Sequence, residues 1–308
     1  MTLSNRPILV TGAHRTGTSW VGKMLSADGS SAYISEPLNV LHRPGVFSVP
    51  VSKWYTYITE ENGADYLPAF RDLLAFRYHL GAELRALRSH RDVFRMIRDF
   101  SIFANGKLRH QRALLKDPFA VFSVAWFAER LNCRVVITVR HPAGFASSLK
   151  RLNWQFDFRD LLDQPALMRD WLESERAALQ SAKAEDHIVQ AALLWRMIYG
   201  VVHALCSSQH NFNVVRHEDL SRDPIGGYRD LYTILGLDFN DKVQNVVLGS
   251  SSSENPTELS QKEVHSVKLD SRANVGSWKK RLSGDEITRI RKMVEEVSHL
   301  YYSDAEWN

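Results

Sequence analysis

The stretch Ile8-Leu-Val-Thr-Gly-Ala-His-Arg-Thr-Gly-Thr-Ser-Trp20 limits the possible folds more than any other part of the chain. A short apolar run enters Gly12-x-x-x-x-Gly17 and continues into an amphipathic segment, the layout of a strand, a glycine-rich loop and a helix. Such a loop offers backbone N–H groups and the positive end of a helix to an anion. Nucleotide triphosphatases place a lysine after the second glycine. Here the order is Gly17-Thr18-Ser19, and the cation, Arg15, stands at the crest of the loop instead. An ordinary strand-to-helix turn carries the same glycine spacing, so the remaining segments must decide.

Short apolar runs that end in or run directly into polar or turn residues recur at Ile8–Thr11, Ala32–Ser35, Ala113–Lys116, Arg134–Val139 and Asn213–Arg216. Helical patterns fit Thr18–Ala27, Val121–Leu131, Pro142–Arg151, His187–Ser207, Ile225–Leu235 and Asp285–His299. This alternation predicts an α/β fold with a parallel central sheet flanked by helices, whose ligands bind beyond the carboxyl ends of the strands. With 308 residues, of which 44% are hydrophobic, one large domain (1–308) is expected. Residues 40–110 break the pattern. There aromatic residues (Trp54, Tyr55, Tyr57, Phe70, Phe76, Tyr78) alternate with Arg71, Arg77, Arg85 and Arg88, which reads as a helical insertion, either shaping an acceptor pocket or filling its own core. Residues 249–276, rich in Ser, Glu and Asn, read as a long polar loop.

The formal net charge of +4 suits a multiply anionic ligand and is too small to argue for a nucleic-acid partner. Cys133 and Cys206 fall in apolar segments and suggest neither a disulfide framework nor a metal cluster. There is no signal-peptide series and no run of 18 apolar residues, so a cytoplasmic protein without an integral membrane segment is expected.

Three more segments carry chemistry. Val135-Val-Ile-Thr-Val-Arg-His-Pro142 ends its strand in Arg140, where a triphosphatase would place a metal-binding Asp. Arg140 suits a phosphate, and Ser148 follows in the second turn of a helix that Pro142 can start. Val215-Arg-His-Glu-Asp-Leu220 places Glu218 and Asp219 where they can cap the next element and pair with Arg. Ser271-Arg-Ala-Asn-Val-Gly-Ser-Trp-Lys279 supplies a fourth segment near the C-terminus.

In this order the segments resemble the sulfotransferases that use 3'-phosphoadenosine 5'-phosphosulfate (PAPS), leaving 3',5'-ADP. The resemblance spans residues 8 to 280 except the insertion. It implies a P-loop-like sulfotransferase architecture and transfer of a sulfuryl group to an acceptor hydroxyl without a required metal. It assigns Arg15, Thr16, Gly17, Thr18 and Ser19 to the 5'-phosphosulfate, and Arg140 and Ser148 to the 3'-phosphate. Arg272 matches a phosphate-binding lysine of the family's closing segment, whereas Ser271, Ala273 and Ser277 depart from the pattern. Trp20 falls where an adenine-stacking tryptophan is found, or is a core residue of the first helix. Lys116 falls at a strand-end lysine beside the sulfuryl group, or pairs with Asp117. Asp117-Pro118 follows Lys116 where many aryl and steroid enzymes carry a histidine base, so Glu36 of Ser35-Glu-Pro-Leu38, a feature shared with carbohydrate sulfotransferases, is the expected base, with His42 and Asp117 behind it. A small-molecule or glycan acceptor is therefore expected. A P-loop kinase or nucleotide hydrolase is the alternative, and oligomeric state is not legible.

Overall fold

The computed structural model describes residues 6–183, 185–208, 212–258 and 268–308. Five strands, β1 (Ile8–Gly12), β2 (Ser31–Ser35), β3 (Arg112–Lys116), β4 (Arg134–Val139) and β5 (Asn213–Arg216), form one parallel sheet in the order β2-β3-β1-β4-β5. Each expected strand is present, with ends moved by at most one residue. The strands are short apolar runs because both faces of the sheet are covered. Ile8, Val10, Leu114 and Val136 point into one cluster with the Thr18–Leu25 and Pro224–Leu235 helices, while Leu9, Leu115, Val135 and Ile137 join a larger cluster on the other face.

The helix His187–Ser207 is apolar on nearly all sides because it lies inside that larger cluster, against the Pro142–Leu152 and Gly284–Ser298 helices. It is long and apolar enough to cross a membrane, but its burial is that of a core helix. Asp186 starts it by accepting a hydrogen bond from Val189 N at 3.0 Å. The element expected over Val121–Leu131 begins sooner than its periodicity suggests. Pro118 at the first position and Asp117, which accepts from Phe119 N at 3.0 Å, start a 3-10 turn over Pro118–Ser123, and the α-helix follows over Val124–Arg130.

Between β2 and β3 lie the expected helices of the insertion, Gly63–Leu74, Leu80–Ala86 and His90–Leu108. Several of its aromatics fill the core. Phe70 packs on Phe47, Trp126 and Phe127, and Phe76 and Tyr78 pack on Phe103. Trp54 and Tyr55 instead face β1's loop side. The region expected as a polar loop over 249–276 opens with the end of the Asp241–Ser251 helix and closes with a short helix at Ser271–Val275, and its middle, 259–267, lies outside the described residues.

Candidate active site

The loop after β1 leaves the sheet at Gly12, whose φ of 139° and close approach to β4 exclude a side chain: a Cβ there would sit 2.3 Å from Thr138 O. Tyr199, fully buried, fixes the loop entry by accepting from Ala13 N at 3.2 Å and donating to Thr138 O at 2.8 Å. Thr16 faces the same interior, with its hydroxyl 2.5 Å from Ala13 O and 2.8 Å from Thr138 Oγ1. Its side chain is fully buried and holds the loop together instead of reaching a ligand, contrary to the expected contact. Gly17, at φ 94°, opens the Thr18–Leu25 helix, and no side chain among the described residues caps it. The free end of the helix points into a cavity of about 570 Å3 lined by Gly17, Thr18, Ser19 and Trp20.

Cations surround the same cavity. Arg15 Nε donates to Ser148 Oγ at 3.3 Å, and its guanidinium lies 5.5 Å from the centre of the Trp154 ring. Arg140, at the end of β4, donates to Arg15 O at 3.2 Å and to Asn274 Oδ1 at 3.0 Å. Arg151 and Arg281 complete the wall. Burial and the charge of Arg140 and Arg151 bring the Arg15 pKa down to about 10, and burial also lowers Arg140 and Arg151. Guanidinium groups crowded in this way favour a polyanion between them. Glu258, paired with Arg281 at 2.5 Å, is the carboxylate on this side of the cavity.

The closing segment differs from expectation. Arg272 turns away and donates to Arg222 O at 2.7 Å, outside the cavity, while its neighbours Ser271 and Asn274 line the wall. Arg281, on the turn of helix after Trp278, takes the inward position and also donates to Ser147 Oγ at 3.2 Å. Sequence reading missed it because it falls two residues beyond the recognised motif. Trp20 is 8% exposed, donates its indole N–H to Ser250 Oγ at 2.9 Å and meets His217 and Tyr228 edge to face, so it is both a core residue and part of the wall.

The cavity is also lined by Glu36, His14, Asn39, Trp54, Phe119 and Trp154. Glu36 Oε1 pairs closely with Lys116 Nζ, and Oε2 accepts from Asn39 Nδ2 at 2.7 Å. Lys116 is buried at the end of β3 and reaches the cavity through this pair, not through Asp117. Asp117 is fully buried, and its carboxylate accepts from Leu38 N at 2.6 Å and from Phe119 N. Burial raises its pKa to about 7, but its place is a brace between two chain segments. His42, bonded to Asn39 O at 2.8 Å, is also outside the lining. Neither alternative base therefore lies at the cavity. His14 does, and sequence reading gave it no role. Its Nδ1 is 2.6 Å from Tyr55 Oη, and burial together with Arg15 lowers its pKa to about 4, so it is neutral near pH 7.

Three residues at this site, Arg15, Glu36 and Tyr55, hold φ between 53° and 68°, a left-handed conformation that costs a non-glycine residue about 1–3 kcal/mol. Each is clamped: Arg15 O by Arg140, Glu36 N by Lys116 O at 2.7 Å, and Tyr55 O by Gln164 Nε2 at 3.2 Å. Behind the wall Glu218 accepts from His141 N and Tyr302 Oη, both at 2.9 Å, which is the organising role expected of it. No group of three metal-ligating side chains occurs among the described residues.

A parallel sheet with a glycine-rich anion loop at β1 and an arginine at the end of β4 defines a P-loop-like protein built for phosphate or sulfate groups without the triphosphatase lysine. A sequence model of the sulfotransferase family matches residues 7–241, and the chain belongs to that family. Carbohydrate sulfotransferase 1 of Danio rerio is 26% identical over 186 residues, which are 60% of this chain and 39% of that protein, so the chain matches well under half of this relative's length. Among solved structures, the sulfotransferase domain from the curacin biosynthetic pathway shares the fold with a TM-score of 0.50 and 15% identity, covering 97% of this chain and 98% of that one. A mouse sulfotransferase complexed with PAP has a TM-score of 0.43 and 13% identity, covering 98% and 86% respectively.

Proposed function

We propose that this protein transfers a sulfuryl group from PAPS to an acceptor hydroxyl, a reading carried by one observation: Arg15, Arg140, Arg151 and Arg281 share a cavity with an uncapped helix N-terminus and with Glu36, which Lys116 pairs. The residues fit a nucleotide of this kind. His217, beside Trp20 in the wall, has a buried Nδ1 with no partner among the described residues, a polar atom suited to a base. When bound, PAPS would supply the activated sulfuryl group, with 3',5'-ADP as the leaving group.

The chain's own residues supply the rest. Arg140 and Ser148 hold the 3'-phosphate, and the loop amides with Arg15 hold the charge that develops at the reacting end. Lys116 keeps Glu36 oriented in the cavity, where Glu36 takes the hydroxyl proton. The aromatic side of the cavity and Glu36-Pro37-Leu38 support a carbohydrate or glycoconjugate acceptor, in line with the carbohydrate sulfotransferase among its relatives. Thermal shift separates this reading from the kinase or hydrolase alternative. 3',5'-ADP should raise Tm without metal, whereas stabilisation by ATP with magnesium and none by 3',5'-ADP would overturn it.

A further inference from the structure

The helix His90–Leu108 packs its inner face, Asp92, Asp99, Phe103 and Gly106, against the protein. Its outer face is apolar as well: Val93, Phe94, Ile97, Phe100 and Leu108 recur at helical spacing, with Phe94 70% and Ile97 54% exposed. Leu80 and Leu84 of the preceding helix are exposed in the same hairpin. Exposed side chains of this size, gathered along one face, mark a surface that meets something.

The charges name the partner. Residues 77–110 hold eight Lys and Arg against three carboxylates, Glu83, Asp92 and Asp99. All three carboxylates are buried and turned to arginines of this chain, Glu83 to Arg43 at 2.6 Å and Asp99 to Arg98 at 2.8 Å. The exposed charge is therefore positive. At 100° per residue, Arg91 and Arg98 run along one flank of the apolar stripe and Lys107 along the other. A second copy would bring these cations against one another. The stripe is also a convex ridge on one helix, which a soft apolar layer with anionic headgroups accommodates directly.

We propose that this hairpin docks the protein on an anionic phospholipid surface, with Phe94 and Ile97 entering the acyl boundary and the flanking Arg and Lys meeting lipid phosphates. This does not depend on the chemistry of the cavity. Co-sedimentation with vesicles of phosphatidylglycerol and phosphatidylcholine tests it against vesicles of phosphatidylcholine alone. The chain should bind the anionic vesicles and lose binding in high salt. Arg91→Gln should weaken binding about fivefold. The double variant Phe94→Ser, Ile97→Ser, in side chains exposed enough to spare the fold, should weaken it about tenfold or more. Equal binding to neutral vesicles, or binding retained by the double variant, overturns the proposal. So does a dimer on size exclusion that the double variant dissolves, since the face would then belong to a second copy.

Discussion

Two arginines of the closing segment compete for the role of phosphate ligand, and substituting each gives a direct comparison. Arg272 follows the sequence motif but donates to Arg222 O, while Arg281 lines the cavity. Arg281→Ala would remove a charge-assisted contact, worth about 1.5–3 kcal/mol when fully formed. Arg281 is 19% exposed at its side chain and already pairs with Glu258, so part of the gain on binding is spent on leaving that partner. The lower end of the range, about tenfold in Kd for 3',5'-ADP, is expected. Arg272→Ala should change Kd less than about twofold, within the scatter of surface substitutions. Isothermal titration calorimetry at one fixed salt concentration measures both. A loss with Arg272→Ala that exceeds the loss with Arg281→Ala would refute the reasoning and restore the motif assignment.

Arg140→Ala should weaken 3',5'-ADP by at least as much as Arg281→Ala, because Arg140 is half-buried and its guanidinium bonds Arg15 O and Asn274 Oδ1 with no ion-paired carboxylate among the described residues; calorimetry on the folded variant checks this. Glu36→Gln should keep 3',5'-ADP binding and lower turnover by about 10²–10⁴-fold. If turnover survives in Glu36→Gln and falls in His14→Gln, the base is His14. Activity should persist in EDTA, and loss restored by magnesium would favour phosphoryl transfer. Burial lowers the His217 pKa to about 3, below its unfolded value of 6.5. The unfolded chain therefore binds the extra proton first, and this contribution to stability is complete above about pH 6.5 and lost as pH falls toward 3. His217→Gln should flatten the fall of Tm between pH 6.5 and 4 relative to wild type, and an unchanged slope would contradict the assignment.

The sheet was legible in the sequence because parallel strands covered on both faces are short apolar runs, and each of the five ends in or is followed directly by a polar or turn residue. A helix start marked by proline was equally plain, as at Pro142. The site was legible where side chains adjoin a strand end, as for Arg15, Glu36 and Arg140. It was not legible where position depends on how a later segment folds back. Arg281 and Arg272 are nine positions apart on short helices, and no local pattern says which faces inward. His14 was hidden for another reason: its surroundings, Tyr55 and Trp154, come from distant parts of the chain. Thr16 shows the converse, a motif residue whose short hydroxyl finds Thr138 on the neighbouring strand before it can find a ligand.

The strand order also governs how the chain can be made. β1 leaves the ribosome more than 100 residues ahead of both its neighbours, since Ile8 pairs with Leu114 on one side and Arg134 on the other. At about 5–20 residues per second, its second neighbour emerges roughly 6–25 s after it. During that interval a strand that is buried along its whole length in the fold, and the glycine-rich loop after it, have no sheet to join, while the local helical hairpin of residues 63–108 can already form. Nascent chains halted before residue 112 should therefore hold a folded hairpin and an exposed, chaperone-binding β1 segment, with the cavity assembled late and all at once.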